Sequence, residues 1–325
     1  MANTNSLFDT YDNNLSIPDS KREKMSESRE STRERIKNWF SKHHPDYPVS
    51  FWIQGSHKNH LNIRTEDEDC DQDDGIYIDR DPADSVDGTT LQEWILEALK
   101  GSTSTPPKHK KKCLRNYYRP DYLGPFHIDY PSYYKTDDMP HPLLTVKNGN
   151  LEESDPQEFT EWLNGHVDEK GQLRRLIRYL KGWADFKKKW CEMPNGLTLT
   201  VLVCNHFTGR DGRDDKALYY TLCGIYNDLD SRWECIMPST PHDDLLSRYD
   251  ESFRISFMHA LWDLIQDAKR ALDEESRYEA SKLWQNHLGP KYPLAPKEPG
   301  KGSREALGAL VGDNKPYFDG GKSIF

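Results

Sequence analysis

An acidic stretch that runs straight into an apolar one constrains this chain most: Asp71-Gln72-Asp73-Asp74-Gly75-Ile76-Tyr77-Ile78. In a strand, alternate side chains point to opposite faces, so Ile76 and Ile78 share one face and Asp71 and Asp73 the other. Asp71 to Asp79 is therefore predicted as a strand of a sheet with one face toward a core and two carboxylates aimed at one point on the other. The apolar run Val49 to Ile53 leads through Gln54 into a Gly55-Ser56 turn, predicting a strand upstream. Leu114 to Tyr118 and Pro125 to Tyr130 read as two further strands. The second carries a third acid, Asp129, with His127 on its own face and Ile128 and Tyr130 on the other.

Carboxylates converging in this way repel one another unless cations sit between them. Magnesium is the natural cation, because it takes hard oxygen ligands and binds substrate phosphates; manganese is the alternative. Two such ions about 3.5–4 Å apart are the usual equipment for phosphoryl transfer. Asp69-Cys70-Asp71 has the same spacing as Asp71-Gln72-Asp73, but Asp73 leads directly into the apolar half of the strand and is preferred.

The 325 residues suffice for one large domain or two fused lobes, and nine Trp, seventeen Tyr and eleven Phe can build a core. A net charge of -10 argues against a general nucleic-acid binder. The six cysteines form no Cys-x-x-Cys pair and read as reduced, buried thiols. No apolar run approaches the length of a membrane helix, and the N-terminus lacks a signal-peptide core, so a cytoplasmic protein without a membrane partner is expected.

Residues 1–14 are polar and expected to be loosely held. Lys21 to Lys42 reads as a charged helix packed along a narrow stripe, with Met25, Ile36, Trp39 and Phe40 as its apolar contacts. Thr89 and Thr90 are candidate caps for a helix through Leu99, and Gly101 to Lys112 reads as a loop. After about residue 150 the pattern turns helical, as at Leu173, Leu176, Ile177, Leu180, Trp183 and Ala184. Three parts are expected: an α/β lobe over 1–150 with its N-terminal helix, a helical lobe over 151–295 that completes a pocket, and a flexible tail over 296–325.

Gln54-Gly55-Ser56, Asp71-Gln72-Asp73-Asp74-Gly75-Ile76-Tyr77 and His127-Ile128-Asp129 together resemble the bacterial cGAS/DncV-like nucleotidyltransferases (CD-NTases), in their cyclic GMP-AMP synthase branch. Arg178 to Phe186 and Leu283-Trp284 to Tyr292-Pro293 resemble later helical segments of that branch. The resemblance implies an α+β fold, with a polymerase-β-like nucleotidyltransferase core sheet and a C-terminal helical lobe. It implies a cyclic dinucleotide synthase that uses ATP and GTP, releases pyrophosphate and serves antiphage signalling. Asp71 and Asp73 would hold two magnesium ions and Asp129 would complete the site. Ser56 and the backbone of the Gln54-Gly55 turn would hold the donor triphosphate, and Lys181 would reach its phosphates. Relatives place a serine where this chain reads Pro194-Asn195-Gly196-Leu197-Thr198; Asn195 or Thr198 is the candidate substitute at the donor nucleotide.

In some relatives a ubiquitin-ligase-like partner conjugates the C-terminus, usually at a small residue; this chain ends in Phe325. No DNA activator is expected, because the metazoan zinc motif is missing. Other readings are a linear or different cyclic oligonucleotide as product, or a catalytically silent nucleotide or RNA sensor. His127 either tunes Asp129 or is structural, Lys108 to Lys112 reads as a solvated loop, and the tryptophans at 162, 183, 190 and 284 read as core.

Overall fold

The computed structural model describes residues 2–120 and 122–297. The tail expected from residue 296 lies outside the described residues from 298 onward, as does any conjugation there. Two helices come first, α1 (Asn5–Leu15) and α2 (Asp19–His43), then β1 (Val49–Gln54) and a one-turn helix α3 (Gly55–Lys58). The central strand β2 (Cys70–Ile78) precedes α4 (Gly88–Leu99), β3 (Lys108–His109), β4 (Leu114–Tyr118) and β5 (Phe126–Tyr130). Short strands β6 (Ser132–Tyr134), β7 (Leu143–Thr145) and β8 (Leu151–Glu153) complete one mixed sheet. The helical lobe follows as α5 (Pro156–His166), α6 (Gln172–Lys187), α7 (Gly196–His206), α8 (Asp214–Ser231), α9 (Glu251–Asp273) and α10 (Arg277–Leu288).

β2 organises the sheet. β1 runs antiparallel along one edge, and β5 then β6 run parallel along the other. The alternation read from the sequence holds: Ile76 and Ile78 enter a core with Met25, Ile36 and Phe40 of α2 and Leu91 and Ile95 of α4. Tyr77, of opposite parity, stacks on Tyr133 in a separate small cluster with Leu144. Asp74 points toward the α2 side and takes a bidentate ion pair from Arg33, with N–O distances of 2.8 and 2.5 Å.

Several expectations need correcting. Of the segment expected to be loosely held, the described residues 2–14 are not: Phe8, Tyr11 and the adjoining Leu15 of α1 are buried at 0–1 % exposure in the helical-lobe core, against Tyr179, Trp284 and Tyr292. Their spacing puts them on one helical face, which outweighs the polar composition around them. The cap of α4 is Asp87, whose carboxylate accepts from the N–H groups of Thr89 and Thr90, so the two threonines lie inside the first turn. The segment read as a loop up to Lys112 contributes β3, which pairs with β4. Trp183 and Trp284 are core as expected, but Trp190 is 66 % exposed. Among the described residues, no helix is long and apolar enough to cross a membrane.

Candidate active site

Strand register builds the centre of the site. Gln54 on β1 lies opposite Asp73 on β2, Asp73 opposite Asp129 on β5, and Asp129 opposite Arg115 on β4. Directly opposed residues share a face, so an amide, two carboxylates and a guanidinium form one row across four strands. Asp71 lies two residues before Asp73 on the same face, opposite His127.

The turn after β1 is shaped around this row. Gly55 has φ +66°, and a Cβ there would lie 2.2 Å from Asp73 Oδ2, so glycine alone lets the backbone rest on that carboxylate. Gln54 is nearly buried and donates Nε2 to the Tyr133 hydroxyl at 2.9 Å, while its Oε1 has no partner. Gln54 thus fastens β1 to β6 beneath the turn.

The helical lobe delivers Lys181 from α6. Its ammonium donates to Ser56 Oγ at 2.8 Å and to the Leu61 carbonyl at 2.9 Å. Burial lowers the Lys181 pKa, while the charges of Asp71 and Asp73 act in the opposite direction. Gly196 at the start of α7 makes room for it, since a Cβ there would sit 2.9 Å from Lys181 Cε. A cleft of about 570 Å³ lies between the lobes, walled by Ser56, Asp71, Lys181, Lys188, Asn195 and Gly196. A smaller cavity of about 290 Å³ shares the Ser56 and Gly196 wall and reaches Gln54, Asp73 and Tyr133. The cleft is of ordinary size for a small-molecule site, and the inner cavity lies at the lower end of that range.

Among the described residues, no side-chain hydrogen bond or ion pair reaches the carboxylates of Asp71 and Asp73. Burial first, then the neighbouring charges of Asp71 and Asp129, push Asp73 up to about 8. Such a carboxylate is short of positive charge. Asp129 is different, because Arg115 Nε and Nη2 hold its two oxygens at 2.6 and 2.7 Å. Burial disfavours the charge on Arg115, and the hydrogen bonds to Asp129 raise its pKa nonetheless.

The sequence predicts three carboxylates meeting at one point, and here the structure differs. Among the described residues, the one trio of potential ligand atoms all within 4.8 Å of each other is His141, Asp155 and Glu158. Asp71, Asp73 and Asp129 do not form such a trio, although their charges act on one another, and Asp129 is held by Arg115. Arg115 comes from β4, on the far side of β5 from β2, and its charge also favours the ionised form of Asp73 against the larger effect of burial. It occupies one lone pair on each Asp129 oxygen and leaves the others for a second partner. An all-oxygen donor set with excess negative charge at Asp73 fits a hard divalent cation.

Two of the nucleotide candidates have structural duties. Asn195 is the N-cap of α7, accepting from the N–H (2.8 Å) and hydroxyl (3.0 Å) of Thr198. Asn195 is exposed at the cleft, but Thr198 is fully buried with its hydroxyl committed to the cap, so it is not offered to a nucleotide there. His127 donates Nδ1–H to the Asp69 carboxylate at 3.0 Å and is a support for the loop before β2, not a partner of Asp129. Sequence reading missed Arg115; its signal is the antiparallel pairing of Leu114–Tyr118 with the Asp129 strand, legible only once the register is known. It also missed Asp185, which accepts from Glu66 N–H at 2.7 Å and ties the loop before β2 to α6.

Residues 49–133 match the family described as cyclic GMP-AMP synthase DncV-like, nucleotidyltransferase domain. The nucleotidyltransferase domain so defined contains the whole cross-strand row, from Gln54 to Asp129. A cyclic GMP-AMP synthase of Escherichia albertii is 29 % identical over 218 residues, 64 % of this chain and 47 % of the relative. A cyclic AMP-AMP-AMP synthase of an Acinetobacter species is 23 % identical over 165 residues, 49 % of this chain and 48 % of the relative. The chain thus spans about half the length of the curated relatives it matches. Vibrio cholerae DncV, solved with the linear intermediate 5′ pppA(3′,5′)pG, superposes with a TM-score of 0.76 at 16 % identity, covering 91 % of this chain and 99 % of that one. Escherichia coli DncV in its 3′-deoxy GTP bound form gives 0.68 at 19 % identity, covering 86 % and 93 %. These likenesses establish the α+β fold with its helical C-terminal region across both lobes.

Proposed function

We propose that this chain is a cyclic dinucleotide synthase that joins ATP and GTP into cyclic GMP-AMP, with release of pyrophosphate, as a second messenger in bacterial antiphage defence. The row Gln54–Asp73–Asp129–Arg115 beside the Ser56–Lys181 contact carries this reading. The activities named for the Escherichia albertii and Acinetobacter relatives support a cyclic product.

In this reading, Asp71, Asp73 and Asp129 hold two magnesium ions, with manganese as a substitute. Those ions supply a lowered pKa for the attacking ribose hydroxyl and charge neutralisation for the leaving pyrophosphate. The chain's own residues do the positioning. Ser56 and the N–H groups of the Gly55 turn cradle the donor triphosphate, and Lys181 exchanges its contact with Ser56 for phosphate oxygens. Arg115 fixes the plane of the Asp129 carboxylate beside Asp73 through hydrogen bonds to both of its oxygens. Asn195 lines the cleft, and since its Oδ1 serves the cap, its side-chain amide nitrogen is the candidate contact for a donor nucleotide. Positioning and charge stabilisation are what phosphoryl transfer requires of a protein.

The test is incubation of the full chain with all four nucleoside triphosphates and magnesium, with products read by mass spectrometry and phosphatase treatment. A phosphatase-resistant cyclic dinucleotide containing one G and one A is expected. Phosphatase-sensitive linear chains would point to the linear synthase reading, a cyclic trimer would keep the enzyme class and change the product, and no product would leave the silent sensor.

A further inference from the structure

A separate cavity of about 390 Å³ opens between the α1–α2 connection, α3 and α6. Arg22, His57, His60, Asn62 and Arg178 line it, and among the described residues no acidic side chain does. It shares no lining residue with the two cavities of the catalytic cleft. In a chain of net charge -10, this is a local reversal of sign.

Its positive charge is only partly matched. Arg178 is paired with Asp12 at 2.6 and 2.8 Å. Arg22 donates Nε to the Ile17 carbonyl, and its carboxylate neighbour Asp19 is 4.0 Å away and 93 % exposed, so among the described residues no acid lies close to the remaining guanidinium N–H groups. Among the described residues Arg174, which flanks His60, hydrogen-bonds to the Asn59 carbonyl and the Asn164 side chain and to no carboxylate. Lys58 rests over the Trp52 ring, with no carboxylate partner among the described residues. The His57 ring has no hydrogen-bond partner among the described residues, although it is half-buried. Burial, then the charges of Arg29, His60 and Arg22, push His57 down to about 4. At neutral pH it is therefore a neutral donor or acceptor amid cations. Guanidinium and imidazole groups converging on an acid-free hollow are the chemistry that recognises phosphate.

The pocket also touches the catalytic strand. Asn62 donates Nδ2 to the Asp71 carbonyl at 2.8 Å, and His57 follows Ser56 directly on α3. We propose that this cavity is a second, non-catalytic site for a small phosphate-bearing ligand. Arg22, His57 and His60 hold it, and its occupancy is passed to β2 through Asn62 and to the Gly-Ser turn through α3. The shared chemistry is a phosphate chain, and its source is either free pyrophosphate or a nucleotide.

Isothermal titration of the full chain, without divalent metal, tests this with inorganic pyrophosphate and a non-hydrolysable ATP analogue as separate probes. Arg22→Glu and His60→Asn are the site variants. Asparagine suits the φ of +60° at His60 and keeps that variant foldable. Lys181→Ala reports the catalytic cleft. Saturable binding is expected that weakens at least tenfold in each site variant and persists in Lys181→Ala. Tight pyrophosphate binding that displaces the analogue identifies the bare phosphate chain as the ligand, and preference for the analogue identifies a nucleotide. Absence of saturable binding, unchanged affinity in both site variants, or loss only in Lys181→Ala would overturn the proposal.

Discussion

Asp214 at the start of α8 and Asp73 on β2 are both largely withdrawn from water, yet their surroundings are opposite. Asp214 accepts from Arg175 at 2.7 and 2.9 Å, from Gln172 at 2.8 Å and from the Tyr179 hydroxyl at 2.9 Å. Burial would raise its pKa, but the hydrogen bonds from Arg175 and Gln172 hold it below the usual carboxylate range. Asp73 has burial and two carboxylate neighbours instead, and is pushed up to about 8. In the helical lobe the charge is neutralised by the protein and the group serves stability. On the sheet it is left for something the protein does not itself supply. The Asp129–Arg115 pair lies between these extremes, compensated but still adjacent to Asp73.

The largest expected effect is on the uncompensated side. Asp71→Asn with Asp73→Asn should lower nucleotide synthesis by about 10³-fold or more, since charge-stabilising groups are worth about 10²–10³ each. The same double variant should melt no lower than wild type without metal, because it removes repulsion. Near-normal turnover by the variant would refute the site. On the compensated side, Asp214→Ala removes the carboxylate that pairs with Arg175 and leaves Arg175 and Tyr179 with only the Lys170 and Phe8 carbonyls among the described residues. It should destabilise the fold by about 3–5 kcal/mol, read by denaturant unfolding. A change below 1 kcal/mol would remove the contrast.

Arg115→Gln sharpens the intermediate case. Loss of the bidentate hold on Asp129 should reduce activity or metal affinity by about 10–100-fold with little change in melting temperature. Increased activity would mean that Arg115 competes with the metal instead of orienting its ligand. At the small end, Asn195→Ala should cost about 1 kcal/mol through loss of the α7 cap. Thr198→Val should leave nucleotide KM unchanged, because its hydroxyl faces the cap and not the cleft.

The two aspartates also predict opposite pH dependences. Asp73 has a raised folded pKa, so in metal-free protein its contribution is present below the unfolded value near 4 and is lost as pH rises toward about 8. Asp214 has a lowered folded pKa, so its contribution is present above about 4 and is lost as pH falls through the folded value. Urea midpoints of wild type, Asp73→Asn and Asp214→Asn across pH 3–9 separate them. Asp73→Asn should flatten the neutral-range decline, and a retained decline would contradict the assignment.

Local chemistry was readable in the sequence where it depends on one strand. The parity of Asp71, Asp73, Ile76 and Ile78 and the turn at Gly55-Ser56 need no knowledge of distant contacts, whereas the demand for glycine at 55 comes from Asp73 on the neighbouring strand. Features set by pairing across the fold were not. Arg115 meets Asp129 only through the β4–β5 register, and Asp214 gathers Arg175, Gln172 and Tyr179 from α6. The burial of α1 was hidden differently: Leu7, Phe8, Tyr11 and Leu15 mark one face, but the asparagines and aspartates between them dominate the composition.

Manganese binding tests the central claim most directly. Electron paramagnetic resonance of the full chain with Mn²⁺ and a non-hydrolysable nucleoside triphosphate should count two bound ions per chain, with both lost in the Asp71→Asn, Asp73→Asn variant. Equal binding by wild type and variant, or no binding by either, would contradict a cation site at Asp71, Asp73 and Asp129.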